Sequence, residues 1–269
     1  MKNSTCVTVV ALFMLCWCGV GCAEPKYPPL LEQPKAYTVP TESQKLWALA
    51  TCAVLTESNG RRHDMLGGRD RSPKAIKARQ ESLAKWWNTH NREELLGTLQ
   101  WIEQGGHRQQ FDEMAHDLSA APPDQLARIR QQVANNPSVS NKVEIVLKYK
   151  DQFGKKSITA WDYSRYISLC GWGYIAGYLT EDEAWERIMP AARLLQKTFA
   201  SWEDMGTNHV VGREFWSVKQ TLESGTRTRQ CFEKLKTDSM SPWRRLDWSM
   251  NLAAPETTKT QNQPSEGTR

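Results

Sequence analysis

Asp162 and Arg165 are the residues of this chain whose types and spacing best suit a functional site. They lie three positions apart in a segment that otherwise has the composition of a buried helix, and buried charges need partners. The favoured interpretation is a mutual ion pair, with Arg165 also stacked on Trp161 one helical turn away. The alternative is a polar pocket shared with His107 and Arg213, in which Asp162 could act as a base and the arginines could hold an anionic group.

Other catalytic patterns in the sequence are incomplete. Glu113 and His116 form one Glu-x-x-His motif, whereas a di-iron carboxylate bundle requires two such motifs and two further glutamates. The spacings of a zinc protease, a P-loop, a dinucleotide-binding turn and a GxSxG nucleophile elbow do not occur. His107 follows two glycines at the start of a predicted helix, where a hydrogen bond or a surface contact is the favoured role. The sequence therefore predicts no metal site and no cofactor.

Tryptophan is concentrated around the candidate residues, because five of the twelve tryptophans lie between Ala160 and Trp216. Such rings could form a sugar-stacking surface. Aromatic side chains at helical spacing more often fill a core, however, because each ring buries a large apolar area. We therefore expect the tryptophans to lie in the core.

Apolar periodicity and helix caps predict an all-α fold. Thr41 with Gln44 and Thr180 with Glu183 have the spacing of capping boxes, and no segment shows the sustained alternation of a strand. The predicted helices cover residues 42–56, 73–87, 92–104, 107–118, 125–134, 141–153 and 158–176, with further helix starts at Thr180 and Ser201. The helix of about residues 158–176 is apolar around its whole circumference. We therefore expect a single globular multi-helix domain, residues 41–252, packed around this helix.

The net charge of the chain does not favour nucleic acid as a partner. The 269 residues carry 35 basic and 30 acidic side chains, a formal net charge of +5 that is spread along the chain. The tail, residues 253–269, lacks apolar anchors and is predicted to be disordered. The densest basic run is expected to form a solvated helix face and comprises Arg69, Arg71, Lys74, Lys77 and Arg79.

The N-terminus has the composition of an export signal, residues 1–22. Its apolar run of 15 residues is shorter than the ~20 needed to cross a bilayer. The segment ending at Cys22 resembles the lipobox of bacterial lipoproteins, with Gly19 where leucine is usual, so Cys22 is the predicted lipidation site. The alternative is ordinary cleavage after Ala23. Residues 23–40 contain five prolines and are predicted to form a semi-rigid tether.

Three cysteines remain in the predicted domain, Cys52, Cys170 and Cys231. They allow one disulfide and leave one further thiol.

Several residue groups of the chain resemble the bacterial family catalogued as domain of unknown function 1266. The resemblance covers about residues 46–220 and implies a helical domain without an established activity, so no catalytic residues are carried over. Its groups are Trp101, Gly105-Gly106-His107, Phe111, Ala160-Trp161-Asp162, Arg165, the Gly-Tyr pairs at 173–174 and 177–178, Glu183-Ala184-Trp185, Ser201-Trp202, Gly212-Arg213 and Phe215-Trp216.

These features together predict an exported, lipid-anchored protein of the cell envelope. The expected location is the periplasmic side of the outer membrane, or the periplasm if cleavage follows Ala23. The expected role is an interaction or binding module, accessory or immunity-like, whose partners are the membrane, through the lipid, and an envelope protein. The alternative is an envelope hydrolase with a polar site around Asp162, Arg165 and His107.

Overall fold

Helix α8 (Thr159–Ala176) is the element around which the rest of the chain packs. Sixteen of its eighteen residues are buried, as the apolar residues around its circumference predict. The computed structural model describes residues 37–253, and the regular structure in this range is entirely helical. The predicted all-α domain with a buried central helix is thus confirmed. The predicted signal peptide, Cys22, and nearly all of the predicted tether and tail lie outside the described residues.

The other helices surround α8 in chain order, and two 3-10 turns, Leu66–Gly68 and Gly154–Lys156, connect some of them. They are α1 (Glu42–Ala50), α2 (Ala53–Ser58), α3 (Pro73–Trp87), α4 (Arg92–Glu103), α5 (Arg108–Ala120), α6 (Pro123–Val133), α7 (Pro137–Phe153), α9 (Glu181–Thr198), α10 (Trp202–Trp216), α11 (Val218–Thr237) and α12 (Pro242–Arg245).

The helix predicted for residues 42–56 is divided in the structure into α1 and α2. At the break, the Thr51 hydroxyl donates to the Ala48 carbonyl at 2.6 Å, and the Cys52 thiol donates to the Leu49 carbonyl at 3.2 Å. Both side chains therefore occupy carbonyls near the end of α1, and the backbone tightens to i to i+3 bonds there. By contrast, the capping boxes predicted at Thr41 and Thr180 are both formed.

Two apolar clusters form the core of the described part of the chain. The larger contains Trp47 and Trp202, whose ring centroids lie 4.7 Å apart. Their indole nitrogens donate to the carbonyls of Asp247 and Leu246, which fixes the C-terminal segment of the domain over α1 and α10. The smaller cluster includes Phe111, Phe153 and Phe215.

The three cysteines within the described residues are buried and free. The disulfide that the sequence allows is therefore not formed in this structure.

Candidate functional site

Asp162 lies at the centre of the candidate site and is completely buried. Its carboxylate accepts hydrogen bonds from the backbone amides of His107 and Arg108, at 3.2 and 3.0 Å. It also accepts from two guanidinium groups, Nη2 of Arg165 at 2.9 Å and Nη1 of Arg108 at 3.3 Å. Since His107 makes no side-chain cap, Asp162 supplies an acceptor for the free amides at the start of α5.

Gly106 explains how the carboxylate reaches the start of α5. Its φ of 55° lies in the left-handed region, and a Cβ there would stand 2.5 Å from Oδ2 of Asp162. Any other residue would therefore be strained and would also displace the carboxylate. This gives a physical reason for the Gly-Gly-His group noted in the sequence.

The charge on Asp162 is stabilised by its surroundings. Burial acts to raise the pKa of Asp162, but the charges on Arg165 and Arg108, together with the hydrogen bonds from the backbone amides of His107 and Arg108, outweigh it and hold the pKa below its ordinary value. Asp162 is therefore an anion at neutral pH that already accepts four hydrogen bonds. It is a poor candidate for a base.

Arg165 connects the buried carboxylate to the surface of the site. Its Nε donates to the Trp161 carbonyl at 3.1 Å, and its guanidinium lies 4.1 Å from the centroid of the Trp161 ring. Burial lowers the pKa of Arg165 to about 10, while Asp162 opposes the shift. Arg165 is thus charged at neutral pH. The ion pair and the stacking favoured from the sequence are both present.

His107 accepts a hydrogen bond rather than offering a basic nitrogen. Its Nδ1 lies 2.8 Å from Nη2 of Arg165, a group that can only donate, and 3.6 Å from Oδ1 of Asp162. The shorter contact assigns the proton of the neutral ring to Nε2. Burial and the charge on Arg165 lower the pKa of His107, so the ring is neutral at pH 7 and presents an N–H donor.

His209 is a second histidine of the site, is almost completely buried and was not singled out in the sequence. Its Nδ1 lies 2.6 Å from Oγ of Ser164, whose hydroxyl donates to the Ala160 carbonyl. Burial, with the charges on Arg165 and Arg213, lowers the pKa of His209 to about 3. A serine and histidine in contact resemble part of a hydrolase triad. Ser164 is completely buried, however, so a substrate cannot reach its hydroxyl.

A cleft of about 1310 Å³ opens above these residues, between α2–α4 on one side and α8, α10 and α11 on the other. Among the described residues that line it, Glu94 is the single carboxylate. Its Oε2 already accepts from the His90 amide at 2.6 Å. In the same part of the chain, six cationic side chains line the cleft: Arg61, Arg79, Lys85, Arg165, Arg213 and Arg227.

Arg79 and Arg213 are the cations of the cleft with unsatisfied buried donors. Nε of Arg79 and Nη1 of Arg213 are buried without a hydrogen-bond partner, and neither arginine forms an ion pair within residues 37–253. Burial, reinforced by the charges of Arg61 and Arg69, lowers the pKa of Arg79 to about 10. Burial also lowers the pKa of Arg213, while the charge on Glu214 opposes the shift. The cleft therefore holds two partly buried cations that form no ion pair with the described part of the chain.

Within residues 37–253, six tryptophans line the cleft: Trp86, Trp87, Trp101, Trp161, Trp172 and Trp216. The expectation of a core position is confirmed for Trp47, Trp185 and Trp202. It is wrong for Trp86 and Trp101, which are 58% and 43% exposed.

Gly212 brings α10 against α8 at the cleft wall. A Cβ at Gly212 would lie 2.3 Å from Cβ of Trp161, so only glycine permits this approach. Arg213 and His209 are thereby held beside Trp161, and the indole Nε1 of Trp161 is buried without a partner.

The structure brings the sequence-predicted site residues together. Arg165, His107 and Arg213 line the cleft, and Asp162 lies beneath them. Arg79 was assigned from the sequence to a solvated helix face, but it is partly buried with its guanidinium 4.7 Å from the Trp172 ring centroid. Arg79 is partly buried by its contact with α8, which lies far away in the sequence. The residues next to Arg79 therefore do not predict its burial.

The Glu-x-x-His pair of α5 does not belong to a metal site in the described part of the chain. No group of three or more His, Cys, Asp or Glu residues within residues 37–253 is arranged to hold a metal ion. In the same range, none of the helices combines the length and the apolar character that crossing a membrane requires.

Comparison with known families supports the resemblance seen in the sequence. Comparison with curated proteins and with solved structures finds no match for this chain. The family described as "Protein of unknown function (DUF1266)" matches residues 82–248, a span that begins and ends later than the 46–220 expected from the sequence. The match covers more than half of the chain, including α4, α8 and α10. The chain therefore belongs to the DUF1266 family.

Proposed function

We propose that this protein is a binding module of the cell envelope that holds an anionic ligand in the cleft between α2–α4 and α8, α10 and α11. One observation carries the proposal: within the described residues, six cationic side chains and a single carboxylate line the cleft, and of the six only Arg165 forms an ion pair, with the buried Asp162. Arg79 and Arg213 contribute guanidinium groups whose buried donors lack partners.

The physical argument rests on the cost of unsatisfied donors. A buried donor without a partner costs about 1–3 kcal/mol, and more when the group is charged. A carboxylate or phosphate that accepts from Arg79 and Arg213 would recover this cost, because guanidinium groups form strong hydrogen bonds with planar anions. The partly buried setting strengthens the attraction relative to water.

The same contacts favour binding over hydrolysis. Asp162 is buried and accepts four hydrogen bonds, and the Nδ1 of His107 accepts from Arg165. Neither side chain is free to take a proton from a water molecule in the cleft. Both instead hold Arg165 in position, and His107 adds a neutral N–H donor.

The envelope location rests on the sequence of the N-terminus. Residues 1–22 have the composition of an export signal, Cys22 suits lipidation, and the proline-rich residues 23–40 would hold the domain away from the outer membrane.

Lipidation can be tested by replacing Cys22 with serine and following a labelled fatty acid and membrane fractionation. Loss of label in Cys22→Ser, with retention in the control Cys18→Ser, is expected. Equal labelling of the two variants would exclude Cys22 as the anchor.

Anion binding can be tested by calorimetric titration of the purified chain with pyrophosphate at low ionic strength. Arg79→Gln is the sharpest variant, because Arg79 makes no hydrogen bond within the described residues and its loss leaves no partner unsatisfied. Affinity should fall about tenfold or more, the equivalent of one charged hydrogen bond. The control is Arg128→Gln, which removes an exposed arginine on α6. No binding by the wild type, or equal binding by the two variants, would contradict the proposal.

A further inference from the structure

We infer that the ligand of the cleft is an acidic oligosaccharide, a chain of sugar rings that carries carboxylate or phosphate groups. This inference rests on the proposed function, because the acidic groups would bind the cations of the cleft. The residues of the cleft lining other than the cations indicate that the remainder of the ligand is a chain of sugar rings. Three features of that lining carry it: the tryptophans, the neutral polar side chains and the shortage of aliphatic ones.

Trp86 and Trp101 present large aromatic surfaces to solvent at the cleft. They are 58% and 43% exposed, although an exposed indole gives up the stabilisation that its burial would provide. The flat C–H face of a pyranose ring is apolar and slightly positive, so it packs favourably on the negative face of an indole. Trp86 and Trp101 therefore offer two stacking positions to a row of sugar rings, since arginines already lie over the more buried Trp161 and Trp172.

Neutral polar side chains are the second feature. Asn59, Ser82 and Asn88 line the cleft, and their side chains make no hydrogen bond within the described residues. Amides and hydroxyls both donate and accept, which is what the hydroxyl groups of a sugar require. A small inorganic anion would leave these groups unused.

The lining also argues against a lipid chain. Among the described residues of the cleft, Val54 and Leu55 alone carry aliphatic side chains. The cleft volume of about 1310 Å³ exceeds the ~300–1,000 Å³ of a site for one small molecule. It therefore has room for more than one sugar ring.

The inference can be tested by titrating the purified chain with four ligands. They are tetragalacturonate, the neutral maltotetraose, pyrophosphate and the four-nucleotide oligothymidylate. Tetragalacturonate should bind at least about tenfold more tightly than each of the others, because maltotetraose lacks the charge, pyrophosphate lacks the rings and oligothymidylate lacks the row of sugar hydroxyls. Trp86→Ala should weaken tetragalacturonate about tenfold and leave pyrophosphate unchanged. Since Trp86 is exposed, its replacement should not disturb the fold; Met240→Ala, at a residue 70% exposed and outside the cleft, is the control.

The outcomes separate this inference from the proposed function. If pyrophosphate binds and depends on Arg79, but tetragalacturonate binds no more tightly, the saccharide inference is overturned and the anion site stands. Tighter binding of oligothymidylate, or equal losses in Trp86→Ala and Met240→Ala, would also overturn it. If neither pyrophosphate nor tetragalacturonate binds, the proposed function fails as well.

Discussion

Replacing Asp162 with asparagine should destabilise the domain more than any single exposed substitution. Each carboxylate oxygen accepts two hydrogen bonds, Oδ1 from His107 and Arg165 and Oδ2 from both the backbone and the side chain of Arg108. An asparagine amide has one acceptor oxygen, so either orientation of its side chain turns an NH₂ group toward two donors. The substitution also leaves two buried guanidinium groups without a counter-charge.

The expected loss of stability comes from the buried charges that Asp162→Asn leaves without a partner. Removing one partner from a buried ion pair costs about 3–5 kcal/mol, because the remaining charge is uncompensated. Urea unfolding of the purified chain, followed by tryptophan fluorescence, measures the free energy of unfolding. Asp124→Asn is the matched control, since Asp124 pairs with Arg128 on the surface at 3.4 Å with both side chains 70% exposed; it should change stability by less than about 1 kcal/mol. A loss of less than about 1 kcal/mol in Asp162→Asn would refute the account of the buried cluster.

Four further substitutions test the close approaches of the helices around the cleft and the burial of His209. Gly106→Ala should cost more than about 2 kcal/mol in the same urea assay, because it strains a left-handed backbone and clashes with the buried carboxylate. Gly212→Ala should cost about 1–3 kcal/mol through its clash with Trp161, whereas Gly97→Ala on α4, which meets open space, should stabilise by about 0.5–1 kcal/mol; equal effects would contradict the close approach of α10. The pKa of His209 is about 3 in the fold and ordinarily 6.5, so the unfolded chain binds the proton first and stability should fall as the pH drops from 6.5 toward 3. His209→Gln should remove about 1–3 kcal/mol of the decrease between pH 6.5 and pH 4.5, and an unchanged pH profile would show that His209 is not buried as a neutral ring.

The features that depend on local sequence could be predicted well. Thr41 and Thr180 cap their helices through residues three positions away, so both signals lie within one turn. The all-round apolar pattern of α8 likewise predicted its burial. The division of the first helix was missed, because it depends on side chains that compete for carbonyl groups at Thr51 and Cys52.

The features that depend on distant residues could not be predicted. Arg79 acquires its role from α8, where Trp172 lies under its guanidinium. His209 acquires its low pKa from burial beside Arg165 and Arg213. Arg108 reaches Asp162 across 54 positions of the chain. Spacing within one helix predicts the contact of Asp162 with Arg165. It does not predict contacts between side chains on different helices.

A crystal structure of the chain grown or soaked with selenate tests the central claim most directly. Selenate carries two negative charges and an anomalous scatterer, so its position can be assigned without doubt about its identity. The account predicts an anomalous selenium peak in the cleft, with selenate within hydrogen-bonding distance of Arg79 or Arg213. The peak should be lost in the double variant that combines Arg79→Gln with Arg213→Gln. Selenate found only outside the cleft, or a peak unchanged in the double variant, would contradict the assignment of this cleft as an anion-binding site.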